Sequence, residues 1–228
     1  MADRLSKDEL ENDALVTSYA YALNWYRENK NLLFAGIAAL ILVIGGSIWY
    51  VTGAGQQEAD AREAISFAEE RFLSGDYETA LFGSVEQGEP GFTEIISDFG
   101  RTTAGNLARY YAAVSYAELE DYTAALDMIR EYNVPDGVLG VAPFSLQGMI
   151  LMQLEMYDEA ISVFERAAEW DENESTTPFN LLNAGEAAYA AGNYAKAQEL
   201  ATRIQRQYPN SQEAPRAARL QGMVLAAE

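Results

Sequence analysis

A chain of 228 residues with 35 acidic and 15 basic side chains carries a formal charge of −20. That excess excludes binding through a nucleic-acid backbone, which needs Lys and Arg to displace counterions. The absence of Cys and His removes thiol chemistry, imidazole catalysis and most transition-metal sites. An alanine- and tyrosine-rich composition with 49% hydrophobic residues and few β-branched runs predicts an all-α protein with a packed core.

The first 31 residues hold four basic and six acidic side chains and a potential amphipathic helix from Ala14 to Trp25. Its aromatics, Tyr19, Tyr21, Trp25 and Tyr26, either rest on a membrane surface or extend the helix that follows. From Leu32 to Val51 the sequence LLFAGIAALILVIGGSIWYV is uncharged over 20 residues. As a helix it spans about 30 Å, the thickness of a bilayer's hydrocarbon core.

Trp49 and Tyr50 at one end, and Trp25, Tyr26, Arg27 and Lys30 before the other, are of interfacial-anchor type. Arg4, Lys7, Arg27 and Lys30 precede the span, against Arg62 alone in residues 52 to 70. The basic flank predicts a cytoplasmic N-terminus, residues 1–31, and residues 52–228 on the far side of a single-pass span, 32–51. A cleaved signal peptide is the weaker expectation, because leader and apolar run are both too long for one. Ala35, Ala39, Gly36, Gly45 and Gly46 are small enough to admit another membrane helix, and equally ordinary on a lipid-facing surface.

Beyond the span, one unit recurs. Gly75-Asp-Tyr77-Glu-Thr-Ala80, Glu120-Asp-Tyr122-Thr-Ala-Ala125, Glu155-Met-Tyr157-Asp-Glu-Ala160 and Gly192-Asn-Tyr194-Ala-Lys-Ala197 each join two apolar-periodic segments. The closing alanines are spaced by 45, 35 and 37 residues, and a small residue (Ala68, Ala113, Gly148, Gly185) stands twelve before each. This is the pattern of helix pairs repeating at about 34 residues, with the first interval enlarged by an insertion. Leu220-Gln-Gly-Met-Val-Leu225 repeats Leu146-Gln-Gly-Met-Ile-Leu151 at a separation of 74, so residues 212 to 227 are expected to supply a lone capping helix. Pro209 is placed to stop the helix before it. Residues 81 to 91, with four glycines or prolines, read as a loop whose tip is a minor candidate for function beside the plainer reading of a tolerated insertion.

These residues resemble the tetratricopeptide repeat over roughly residues 57 to 228, with Phe164 and Ala167 falling four and seven after Ala160 as that pattern requires. Arg109 and Phe144 depart from it, standing where its first Trp belongs, and only the fourth unit ends on the expected proline. The resemblance implies an α-solenoid of about four helix pairs plus a C-terminal cap. The layout, with residues 91–111 (GFTEIISDFGRTTAGNLARYY), is also similar to single-span tetratricopeptide proteins of Gram-negative bacteria, the group containing the YfgM-type ancillary subunit of the SecYEG translocon. That similarity implies an inner-membrane protein with a periplasmic scaffold domain, and as partners translocon subunits, periplasmic chaperones or emerging polypeptides. A structural subunit of another envelope complex fits the same layout.

No nucleotide loop, GxSxG, HExxH or EF-hand pattern is present. No catalytic, cofactor-binding or metal residues are therefore expected, and no enzyme. Asp171-Glu-Asn-Glu174, the densest acidic run, lacks the alternate-acid spacing and closing glutamate of a calcium loop. Charge is uneven: residues 57–174 carry 25 acidic and 6 basic side chains, residues 196–219 two and five. In the resembled class the first helix of each pair lines the concave face, which makes Tyr110, Val114, Met149, Met152, Phe179, Leu182, Tyr189 and Met223 candidates for a peptide-binding groove. Several of these would equally serve as interhelix core.

Overall fold

The computed structural model describes the backbone of residues 7–227, and side chains other than those of residues 7–16 and 48–50. Arg4 and the side chains of Lys7, Ala14, Trp49 and Tyr50 lie outside the described residues. Two compact units divide the chain, Met1–Gln56 and Gln57–Glu228.

In the first unit the described backbone is one uninterrupted helix, part of α1 (Lys7–Leu73). The segment from Ala14 to Trp25 therefore continues into the apolar stretch rather than forming a separate element. This helix is long and apolar enough to cross a membrane, and none of its most apolar window is buried. Phe34, Ile37, Leu40, Ile41, Leu42, Val43 and Ile44 are all exposed. An exposed apolar face of this extent is of the kind that meets a membrane or another protein.

The second unit is a succession of helix pairs. It comprises the end of α1, α2 (Tyr77–Phe82), α3 (Phe92–Phe99), α4 (Thr103–Glu118), α5 (Tyr122–Arg130), α6 (Val141–Gln153), α7 (Tyr157–Trp170), α8 (Thr176–Ala190), α9 (Tyr194–Gln207) and α10 (Ala214–Ala227). A 3₁₀ turn, Val138–Gly140, leads into α6. The pairs are α4–α5, α6–α7 and α8–α9. Before them, the end of α1 pairs with a helix cut in two, α2 and α3.

The recurring motif has a single backbone explanation. Gly75, Glu120, Glu155 and Gly192 all sit at positive φ (81°, 62°, 57° and 76°) and are followed by the first residue of the next turn. At each, the N–H bonds back to the carbonyl three residues earlier, and the next N–H reaches the carbonyl five residues before it. Glu155 donates to Met152 (3.1 Å) and Met156 to Leu151 (2.9 Å); Gly192 donates to Tyr189 (3.0 Å) and Asn193 to Ala188 (2.8 Å). This left-handed helix terminus satisfies the last carbonyls of the first helix. The second helix starts at once, capped by Asp76 on Thr79, Asp121 on Ala124 and Asn193 on Lys196. Met156 has no side chain able to accept such a bond.

Inside each pair the small residue faces the partner helix. Ala68, Ala113, Gly148 and Gly185 are all buried, and a Cβ on Gly148 would stand 2.6 Å from the Phe164 ring. Phe164 and Ala167 are fully buried. Phe144, at one of the positions departing from Trp, packs edge-on against Trp170 with Arg166 stacked 4.3 Å from its ring centroid. Arg109, at the other, donates to the Gly100 carbonyl at 2.7 Å and braces the α3–α4 turn.

The enlarged first interval lies inside the second helix of its pair. Gly83, at φ 74°, ends α2. Ser84 and Glu89 then exchange backbone bonds of 2.8 and 3.1 Å in a small hairpin, and α3 resumes at Phe92. The loop is thus 83–91, two residues shorter than expected, because Leu81 is core and Phe82 helical. From α1, Glu58 accepts the Thr103 N–H at 2.7 Å. Although desolvation opposes it, that bond and Arg62 hold the Glu58 carboxyl below its ordinary value, as a carboxylate at the N-terminus of α4 should be.

Candidate functional site

The first helices of successive pairs, α4, α6 and α8, line a common groove of about 590 Å³. Its wall is apolar: Val114 from α4, Leu146 and Met149 from α6, and Phe179 from α8, with Tyr110 at one side. Met149 is 42% exposed, so an adaptable apolar side chain stands open in the wall. Behind it, the buried Ser145 hydroxyl donates to Asn180 Oδ1 at 2.8 Å, while Asn180 Nδ2 donates to the Thr176 carbonyl at 2.9 Å. That pair ties α6 to α8 and fixes the groove's width.

Two carboxylates, Glu118 at the end of α4 and Glu213 before α10, complete the lining. Neither takes part in the ion pairs formed among the described residues, which engage Glu58, Glu131, Glu159, Glu165, Glu172, Glu186 and Glu199. Tyr110 packs against Tyr132 with centroids 5.6 Å apart. Burial, then the neighbouring Tyr132 and Tyr111, push its phenol above the usual value, so it remains a hydrogen-bond donor across the physiological range.

Of the eight residues singled out by spacing, Tyr110, Val114, Met149 and Phe179 line this groove. Tyr189 and Met223 line a separate hollow of about 300 Å³ between α8 and α10, beside Arg216 and Arg219. Met152 is half-buried against the core. Leu182 is fully buried in that core and presents nothing to a groove; three residues before Gly185, it is turned inward with Leu181.

The spacing argument missed Glu118, Glu213, Ser145 and Asn180. Two unpaired acids among 35 carry no mark in the sequence, and a Ser–Asn pair 35 residues apart is visible only once α6 and α8 are side by side.

The dense acidic run has a structural task. Asn173 Oδ1 accepts the N–H groups of Ser175 and Thr176, each at 2.9 Å, starting α8. Glu172 accepts the Tyr208 hydroxyl at 2.9 Å.

A tetratricopeptide-repeat family model matches residues 151–224, from the end of α6 through α10. The same turn and small-residue register recur outside the matched stretch at Gly75 and Glu120, and the fold of the second unit is an all-α helical repeat of this type. No curated protein matches the chain.

Proposed function

We propose that this protein is a membrane-anchored scaffold that holds protein partners in the groove of α4, α6 and α8. The observation that carries the reading is an apolar wall that includes exposed Met149, in a groove whose lining also holds two carboxylates that form no ion pair among the described residues. Such a surface suits an extended or helical segment with apolar anchors and a basic residue. The reading is non-enzymatic: the Ser145 hydroxyl is engaged with Asn180, and the ionisable lining of the groove is two acids and a protonated phenol.

The apolar helix supports an anchor, and the excess of Arg and Lys before it supports a cytoplasmic N-terminus with the repeats on the far side; that this side is the periplasm of a Gram-negative bacterium draws on the resemblance alone. The narrower reading, an ancillary subunit of the Sec translocon working with periplasmic chaperones or emerging chains, draws on the likeness of residues 91–111 and of the layout.

A photocrosslinking side chain at Val114, in the full chain in native membranes, is expected to yield discrete partner adducts that Met149→Glu or Phe179→Ala abolishes. Adducts that persist in both variants would remove the groove from the function. Recovery of a different envelope complex, with translocon subunits reproducibly absent, would discard the narrower reading and keep the scaffold.

A further inference from the structure

The hexapeptides Leu146–Leu151 and Leu220–Leu225 occupy the same register in α6 and α10, yet their surroundings differ. Along α6 the stripe Val141, Phe144, Gly148 and Leu151 is buried throughout, because α7 lies across it and sets Phe164 against Gly148. The matching stripe on α8, Pro178, Leu181, Gly185 and Ala188, is likewise buried, under α9. On α10 the equivalent residues are Pro215, Ala218, Gly222 and Leu225, all exposed. Leu225 is 71% exposed where Leu151 is 0%, and a Cβ on Gly222 would meet nothing within 4 Å. The other side of α10 is fully engaged, with Ala217, Leu220 and Val224 buried.

From this we infer that the open stripe of α10 is a docking site for an amphipathic helix of a partner protein, one with a bulky apolar ridge and acidic flanks, seated as α7 is seated on α6. The template fixes the shape: a helix of two to four turns whose large side chain drops onto Gly222. Charge fixes the flank. In a chain of −20, α10 carries Arg216 and Arg219 and no acidic residue. Arg219, at the edge of the stripe, forms no ion pair among the described residues, whereas Arg216 is held by Glu186 at 2.9 Å. An acidic-flanked helix meets this field with attraction.

The occupant is a different protein rather than a second copy because, among the described residues, the second helices α5, α7 and α9 are already seated in their own pairs. Two α10 stripes facing each other would also oppose their arginines. This surface is separate from the groove, so variants at Met149 or Phe179 leave it intact.

The test uses the full chain in detergent and two labelled peptides copied from its own second helices. The α7 peptide, Tyr157–Trp170, has four acids and one base; the α9 peptide, Tyr194–Gln207, has three bases and one acid. Fluorescence anisotropy is expected to show saturable binding of the α7 peptide, roughly tenfold weaker binding of the α9 peptide, and a similar loss for the α7 peptide with Gly222→Leu or Leu225→Glu. Helicity that is retained and an unfolding midpoint that is not lowered in either variant confirm that the fold is kept. Failure of the α7 peptide to bind, or binding that neither variant weakens, overturns the proposal. So does a concentration-dependent dimer of the wild-type chain that Gly222→Leu dissociates, which would give the stripe to a second copy.

Discussion

Of the six-residue pattern common to α6 and α10, the glycine and the last leucine are buried in α6, as Gly148 and Leu151, and open in α10, as Gly222 and Leu225, and the difference isolates what the second helix of a repeat contributes. Register is shared, and so is the sequence but for Ile150 against Val224; α6 has α7 across its stripe, and among the described residues no helix lies across that of α10. Leu151 and Leu225 therefore differ in burial rather than in chemistry. Leu151→Ala is expected to lower the urea-unfolding free energy by about 2–5 kcal/mol, the range for a buried leucine that leaves a cavity. Leu225→Ala should stay within about 0.5 kcal/mol, as an exposed substitution does. Equal losses at the two sites would mean that α10 is covered in solution, and would break the comparison outright.

The glycines sharpen it, because here the two regions should move in opposite directions. A methyl on Gly148 meets three atoms of the Phe164 ring at 2.6–2.7 Å, and that ring is fully buried. Gly148→Ala should destabilise by roughly 1–3 kcal/mol despite the better helix propensity of alanine. Gly222→Ala meets open space and should stabilise by about 0.5–1 kcal/mol. The pair of unfolding midpoints, one lowered and one raised, is the measurement.

How α7 is held invites a third test. Its entry turn is the least favourable of the four: Glu155 occupies a left-handed position where two other turns use glycine, and Met156 stands where Asp76, Asp121 and Asn193 cap. The helix is thus kept in place by burial of Ala160, Ile161, Phe164 and Ala167 rather than by its ends. Met156→Asp should add a cap and stabilise the chain by about 1 kcal/mol, read from thermal unfolding. No gain would show that the α7 N-terminus is already satisfied in another way.

Much of this was legible beforehand for physical reasons. The residue at each bend had to be glycine or a tolerated acid because the backbone there is left-handed, and the residue twelve before each closing alanine had to be small because two helix axes approach at that point. Those constraints act on single positions, so they leave a mark in one sequence. The groove was less legible. Periodicity gives the face of a helix but not which side of that face meets the neighbouring pair, so Tyr110, Val114, Met149 and Phe179 came together as the spacing implied while Leu182 went into the core. The glycines and prolines of residues 81–91 imply a loop where the Ser84–Glu89 hairpin stands; that it interrupts a second helix, with α3 resuming at Phe92, depends on packing against α4 that no local pattern encodes.

The smallest effect is expected at the third copy of the glycine, and it tests whether crowding alone decides the sign. A methyl on Gly185 would lie 2.9 Å from Leu220 Cδ2, with Leu200 Cβ and the Ala197 carbonyl at ordinary distances of 3.6 and 3.8 Å. The close atom is the end of a flexible side chain rather than a locked ring, and Leu220 borders the hollow between α8 and α10, which gives it room to turn. The strain of displacing one methyl group, about 0.5–1.5 kcal/mol for a side chain held off its rotamer, is then offset by the roughly 1 kcal/mol that alanine gains over glycine in a helix. Gly185→Ala should leave the unfolding midpoint nearly unchanged, between the fall at Gly148 and the rise at Gly222. A loss as large as that at Gly148 would show that α10 is as rigidly seated on α8 as α7 is on α6, and that its open stripe is the face of a fixed helix rather than of a yielding one.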